Sequence, residues 1–186
     1  MKKTYGTALA ALVAVALVAF ASHGGDSNQK KSSLTQQVQG SWTMVSNVLD
    51  QGGNKTDPYG PAAKGSVMLT SNGRVMLIIT RADVPKFASN NRTTGTPEEN
   101  KAAVAGSIAY FGTYTVNDAD KMLLMHLEGS TYPNWVGTDQ KRTLDLSGDE
   151  MKFINQNPSM GQGTVTVTWK RVKEGRATAS AAEPRQ

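Results

Sequence analysis

Between residues 40 and 172 the sequence repeats one pattern, in which short runs of alternating apolar and polar residues are separated by turn-forming residues. An alternation with a period of two indicates a strand that buries one face. The runs predict eight strands, at residues 40–49, 64–70, 74–80, 107–116, 121–128, 138–146, 151–155 and 164–172. Asn72-Gly73 is a strong signal for a tight hairpin between the second and third strands, because both residues tolerate a positive φ.

One helix interrupts this series of strands. Thr96, Pro97 and Glu99 fit a capping box with proline at the first helical position, and the helix is predicted to run through Val104. A single short helix among eight strands indicates an all-β fold. Sequential antiparallel strands leave two open edges, which closure into a barrel removes. The sequence therefore predicts an eight-stranded antiparallel up-and-down barrel, with a two-sheet sandwich as the alternative.

The two ends of the chain differ from this pattern. Lys2 and Lys3 precede an apolar run at residues 8–19, and Ala19-Phe20-Ala21 matches a cleavage site. The run is short for a membrane span, so we predict a signal peptide at residues 1–21; an uncleaved membrane helix is the alternative. The signal peptide implies an exported protein, either periplasmic or secreted from a bacterium. The polar composition of the flanking segments predicts a flexible tether at 22–37, a barrel at 38–173 and a disordered tail at 174–186.

Composition narrows the chemistry of the barrel. Without residues 1–21 the net charge is 18 − 15 = +3, spread along the chain, which argues against nucleic acid as a partner. Cysteine is absent and there are only 2 histidines, which argues against thiol catalysis and against a metal site. We expect no cofactor, no metal and no stable membrane anchor after cleavage. The sequence leaves the oligomeric state open.

Two short motifs and one longer run carry a family resemblance. Gly40-Ser41-Trp42 opens the first strand, Trp169-Lys170-Arg171 closes the last, and the segment from Gly95 through Arg142 is the most specific part. Together they resemble the lipocalin-like domain family of bacteria and fungi, a calycin-type barrel, over residues 38–172. The resemblance implies a cavity for a small molecule and an arginine, Arg171, that packs over Trp42 and closes one end of the barrel. The Thr-Asp-Tyr triplet of typical lipocalins is missing, so their ligands are not carried over.

Alternation also sorts side chains between the two faces of the barrel wall. On the first strand Trp42 is predicted to share its inward face with Met44, Ser46 and Val48. On the sixth predicted strand the inward set is Gln140, Arg142, Leu144 and Leu146. A buried arginine is costly unless it is paired or hydrogen-bonded. Arg142 therefore either serves a ligand at the rim, beneath Trp135, or forms a structural bridge with Glu128.

Further candidates lie on other strands. His126 and Glu128 share one face of the strand at 121–128, but both faces are largely apolar, so alternation does not tell which is inward. If that face is inward, the two residues make a base and its orienter for proton transfer; if outward, they are a solvated pair. Tyr110 and Tyr114 on the fourth strand either donate hydroxyls to a ligand or fill the core, and Arg81 ends the third strand as a further polar candidate.

These residues support three hypotheses. The first is an exported barrel that binds a small, partly apolar ligand through Arg81, Tyr110, Tyr114, His126, Glu128, Trp135, Gln140 and Arg142. Ligand pockets commonly combine apolar walls with a few convergent polar groups, as here. The second is a small cyclase or isomerase that uses His126 and Glu128 in the same cavity. The third is a packed structural barrel without a ligand.

Overall fold

The computed structural model describes Met1 and residues 32–173. The predicted signal peptide, most of the tether and the tail at 174–186 lie outside the described residues. Export therefore stays a prediction. Among the described residues no helix has the length and apolar character needed to cross a membrane.

Nine strands form one continuous antiparallel sheet within residues 32–173. The strand order is β2-β1-β3-β4-β5-β6-β7-β8-β9, and β1 also pairs with β9, which closes the sheet into a barrel. The strands are β1 (Gly40–Gln51), β2 (Asn54–Thr56), β3 (Lys64–Leu69), β4 (Arg74–Thr80), β5 (Ser107–Asn117), β6 (Met122–Ser130), β7 (Asp139–Ser147), β8 (Glu150–Asn155) and β9 (Thr164–Arg171). This confirms the eight-stranded antiparallel barrel and rules out the sandwich. The additional strand, β2, is a short hairpin extension of β1.

The two α-helices within residues 32–173 begin at capping boxes. In α2 (Pro97–Ala105) the Thr96 side chain accepts a hydrogen bond from the Glu99 backbone, and the Glu99 side chain accepts one in return, so the predicted helix is confirmed. In α1 (Leu34–Val38) Ser33 has the same role. Residues 34–37 of the expected tether are therefore helical, and that expectation is corrected. A helix of five residues is too short to show apolar periodicity in the sequence.

The end of the barrel nearest α1 is closed. Trp42 is fully buried, and its Nε1 donates to the Val38 carbonyl at 2.9 Å. The Arg171 guanidinium carbon lies 4.0 Å from the centroid of the Trp42 ring. Its Nη1 and Nη2 atoms donate to the carbonyls of Gln39 and Gln37 at 2.8 and 2.5 Å. Arg171 thus stacks on Trp42 and ties the chain that enters β1 to the end of β9.

One face assignment from the sequence is wrong. The pairing of β1 with β9 shifts between Met44 and Ser46, which marks a β-bulge. A bulge adds one residue to one strand and so reverses the alternation beyond it. Asn47 and Leu49 are consequently buried, whereas Ser46 and Val48, which were predicted to face inward with Trp42, are half-buried.

Candidate functional site

A cavity opens at the end of the barrel opposite Arg171. Its apolar wall comes from four strands, at Leu77, Ile79, Ile108, Phe153, Val165 and Val167. Its polar groups are Asn47, Tyr59, Tyr110, Arg142 and Asn155, with Trp135 beside them. The loop between β8 and β9, residues 156–163, covers part of the mouth through Pro158, Ser159 and Met160. An apolar cleft with a few convergent polar groups has the usual character of a small-molecule site.

The cavity is narrow. Its volume is about 60 Å³, and its mouth is open to solvent. One water needs roughly 10–15 Å³ of such space, so the cavity has room for about four or five waters. A larger occupant requires side chains at the mouth to move.

Arg142 is the charged residue of this site. Only 5% of it is exposed, because alternation on β7 turns it toward the interior. Nη1 donates to the adjacent Lys141 carbonyl at 2.7 Å, and within the described part of the chain no carboxylate lies within 4.0 Å of the guanidinium. A buried charge without a counter-ion is unusual, since burial is costly unless the charge is paired. Arg142 is therefore available to an acceptor in the cavity.

Trp135 lies next to this guanidinium at the mouth. It ends a 3-10 turn, Pro133–Trp135, in the connection between β6 and β7. Its ring makes edge contacts with Tyr110 and Tyr132, at centroid distances of 5.9 and 5.6 Å, and lies 5.7 Å from the Arg142 guanidinium carbon. Edge-on contacts of this kind favour a fixed ring position. The indole is thus held over the opening.

Two phenols complete the polar set. Burial raises the pKa of Tyr59 to about 12, and the neighbouring Tyr110 adds to the rise. Burial also raises the pKa of Tyr110, while the adjacent Arg142 acts in the opposite direction. Both hydroxyls are therefore neutral at physiological pH and can donate or accept a hydrogen bond.

The two asparagines of the cavity differ in their bonding. Asn155 Oδ1 accepts a hydrogen bond from the Asn157 backbone at 3.1 Å. Asn47 is 3% exposed, and its Oδ1 has no partner among the described residues. Sequence reasoning missed both asparagines and Tyr59. Asn155 could have been found from its place on the apolar face of β8, but Asn47 is turned inward by a bulge that leaves no sequence signal.

Several predicted site residues lie outside the cavity. His126 and Glu128 are on the outer face of β6, where the His126 side chain is 55% exposed and its Nδ1 lies 2.8 Å from Asp139 Oδ1. Glu128 forms two bonds with Arg74, at 2.5 and 2.8 Å. The hypothesis of a base and orienter inside the barrel is therefore wrong, and so is the bridge between Arg142 and Glu128. The open question about this strand is settled: Leu123, Met125 and Leu127 face inward.

The other predicted ligand-binding residues lie outside the cavity or at its side. The hydroxyl of Tyr114, a buried residue, donates to the Thr70 carbonyl at 2.8 Å and does not line the cavity. Arg81 follows β4 and pairs with Asp83 through two bonds of 2.8 and 2.7 Å, outside the cavity. Gln140 lines a polar groove beside the mouth that also includes Arg142 and Trp135. Of the predicted ligand-binding residues, Tyr110, Trp135 and Arg142 come together in the cavity, with Gln140 at its side.

Across residues 32–173 no three His, Cys, Asp or Glu side chains come together as a metal site would require. The site can instead form hydrogen bonds to a neutral or anionic molecule and cover its apolar surface.

Two comparisons with known proteins agree with this geometry. The family model of the lipocalin-like domain matches residues 39–172. The chain is also similar to the 4'-hydroxy-3'-methoxypropiophenone carrier protein ppsC of Aspergillus oryzae, with 28% identity over 103 residues, which cover 50% of this chain and 93% of that protein. Family and relative both support a ligand-binding barrel. The chain belongs to the lipocalin-like domain family.

Proposed function

We propose that this barrel binds and carries a small molecule with a single aromatic ring, whose carbonyl or carboxylate oxygen accepts hydrogen bonds from Arg142. The observation that carries the proposal is the buried Arg142 guanidinium, which has no carboxylate partner among the described residues and lies at the mouth of an apolar cavity. A ligand oxygen offsets the cost of burying this charge. A guanidinium presents its donors in a planar fork that suits a carbonyl or a carboxylate.

The size and lining of the cavity support an aromatic ligand. A narrow cavity of about 60 Å³ favours a slim or flat group over a bulky one. Trp135 and Phe153 offer aromatic surfaces to a flat ring. The ligand in the printed name of the fungal relative, 4'-hydroxy-3'-methoxypropiophenone, is itself a single ring with a ketone. That compound is therefore a suitable first probe for this chain.

The chemistry of the lining supports binding rather than turnover. Within residues 32–173 no histidine, aspartate or glutamate lines the cavity. The raised pKa values of Tyr59 and Tyr110 make both phenols poor bases near neutral pH. With no group suited to proton abstraction among them, these residues favour a carrier.

We further propose, on the sequence pattern alone, that the carrier works outside the cytoplasm. The basic and apolar segments at residues 2–19 and the following Ala19-Phe20-Ala21 support removal of residues 1–21. N-terminal sequencing of the protein from its native host should then give Ser22 as the first residue. Met1 on membrane-bound material would contradict export with cleavage.

The binding proposal is tested with Arg142→Met, which keeps much of the side-chain volume and removes the charge and the donors. The probe is 4'-hydroxy-3'-methoxypropiophenone, titrated by calorimetry. We expect the affinity to fall by roughly 2–3 kcal/mol, the range of a charge-assisted hydrogen bond, with a near-normal melting temperature. Arg74→Met is the matched control, because Arg74 lies on the outer surface beside Glu128, and it should leave the affinity unchanged. Unchanged affinity in Arg142→Met, together with a lowered melting temperature, would make Arg142 structural.

A further inference from the structure

Asn47 and Arg142 reach the same cavity from different strands. The bulge in β1 turns Asn47 inward, and Arg142 lies on the inward face of β7. Pairing leads from Asn47 to Val167 of β9, from Val167 to Phe153 of β8 and from Phe153 to Leu144 of β7, so two strands separate β1 from β7. The two side chains therefore offer polar groups to the cavity from separate parts of its wall.

The Asn47 side chain is incompletely bonded. It is 3% exposed, and no described residue donates a hydrogen bond to its Oδ1. A buried carbonyl without a donor is costly, and native proteins satisfy most such groups. The last torsion of an asparagine side chain is soft, so the amide can turn its oxygen toward a donor in the cavity. An apolar residue would fill this position without the cost, which points to a use for the amide.

We propose that the ligand carries a second polar group, a neutral hydroxyl, which donates a hydrogen bond to Asn47 Oδ1. This inference rests on the proposed function, in which the acceptor oxygen at the other end of the ligand meets Arg142. The ligand class is then an aromatic ring with a hydroxyl at one end and a carbonyl or carboxylate at the other. Two polar contacts on different strands fix the orientation of the ligand in the cavity.

The charges around Asn47 select a neutral donor. No carboxylate lines the cavity among the described residues, and Arg142 contributes a positive charge. An ammonium group there would be repelled and left without a counter-ion. Tyr59 and Tyr110 stay neutral because burial raises their pKa values, so they offer no compensating charge. A hydroxyl donates without adding charge.

The experiment compares 4'-hydroxypropiophenone with 4'-fluoropropiophenone, which has nearly the same shape and no donor. Both are titrated by calorimetry into the wild-type protein, Asn47→Leu and Arg142→Met. The wild type should prefer the hydroxyl compound about tenfold, the factor that one hydrogen bond of ~1.4 kcal/mol gives. Asn47→Leu should lose this preference and still bind the fluoro compound as the wild type does. Arg142→Met should weaken both compounds and keep the preference.

The outcomes separate this inference from the proposed function. Equal affinity of the wild type for both compounds, with binding still lost in Arg142→Met, overturns the inference and leaves the proposed function standing. A preference that persists in folded Asn47→Leu also overturns it, because the donor would then meet another group. If neither compound binds the wild type, both proposals are overturned. If Asn47→Leu does not fold, Asn47→Ala takes its place, and equal affinity of the wild type for the two compounds overturns the inference without either variant.

Discussion

The Arg171 guanidinium carbon lies 4.0 Å from the centroid of the Trp42 ring. Its Nη1 and Nη2 atoms donate hydrogen bonds to two backbone carbonyls of the chain that enters β1. Arg142 has a similar neighbour at the opposite end of the barrel, with its guanidinium carbon 5.7 Å from Trp135. The difference lies in the remaining donors. Those of Arg171 are bound within the protein, whereas the Arg142 guanidinium, which lies beside Tyr110, donates a hydrogen bond to the neighbouring Lys141 carbonyl. One arginine closes the barrel, and the other is available to a ligand.

The closed end should carry much of the stability of the fold. Trp42→Ala removes a fully buried ring and uncovers the Arg171 guanidinium, so we expect the free energy of unfolding to fall by roughly 3–5 kcal/mol. Trp135→Ala is the matched control, because Trp135 is only half-buried at the mouth and its loss should cost clearly less. Chemical denaturation measures both variants. A Trp42→Ala midpoint equal to that of the wild type would show that the ring is not part of the core.

The barrel could be predicted from the sequence because its strands are regular and turn residues separate them. Asn72-Gly73 and the capping box at Thr96 each determine a local structure by themselves. The bulge between Met44 and Ser46 could not be predicted, because it depends on how β1 fits β9 across the closed sheet. The outer face of β6 was ambiguous for a different reason. Met122 and Leu124 are apolar on the outer face, so hydrophobicity did not distinguish the two sides.

The candidate site could be predicted only in part. Arg142 is found by simple alternation on β7, and Trp135 by its position in the preceding loop. Tyr59 comes from a glycine- and proline-rich connection between β2 and β3, where no periodicity predicts that a ring turns inward. Asn47 depends on the bulge. The site residues that the sequence did not predict are thus those whose side-chain direction depends on tertiary contacts rather than on the local pattern.

The ion pair on the outer face should respond to pH. The hydrogen bonds from Arg74 hold the pKa of Glu128 below its ordinary value of 4.5. A depressed carboxyl pKa contributes stability that is present above the ordinary value and is lost as pH falls through the depressed one. Arg74→Met should therefore raise the pKa of Glu128, measured by NMR titration of the side-chain carboxyl. Arg142→Met should leave the pKa of Glu128 unchanged. A raised Glu128 pKa in that variant would show that Arg142 and Glu128 form an ion pair after all.

The buried phenol of Tyr59 should limit stability at high pH. Its pKa is raised by burial from 10.0 to about 12, so the folded state holds its proton more tightly than the unfolded chain does. The resulting stability is fully present below pH 10 and is lost as pH rises toward 12. Tyr59→Phe should reduce this alkaline loss, followed by denaturation between pH 8 and about 11. An absorbance titration of the phenols checks the assignment. Tyr59→Phe should lack an ionisation step that the wild type shows well above pH 10. If the variant instead lacks a step near pH 10, Tyr59 is solvated.

Asn47 should reduce the stability of the empty protein, as expected of a residue retained for binding. Leucine has a similar volume and no polar atom, so Asn47→Leu removes an unpaired buried carbonyl and should raise the free energy of unfolding by ~1 kcal/mol. Asn155→Leu is the matched control, since Asn155 Oδ1 accepts a bond from the Asn157 backbone. Its loss leaves that donor unpaired and should lower the free energy of unfolding by ~1 kcal/mol. Opposite signs in urea denaturation without ligand support a binding role for Asn47; two equal losses would mean that Asn47 is bonded within the protein.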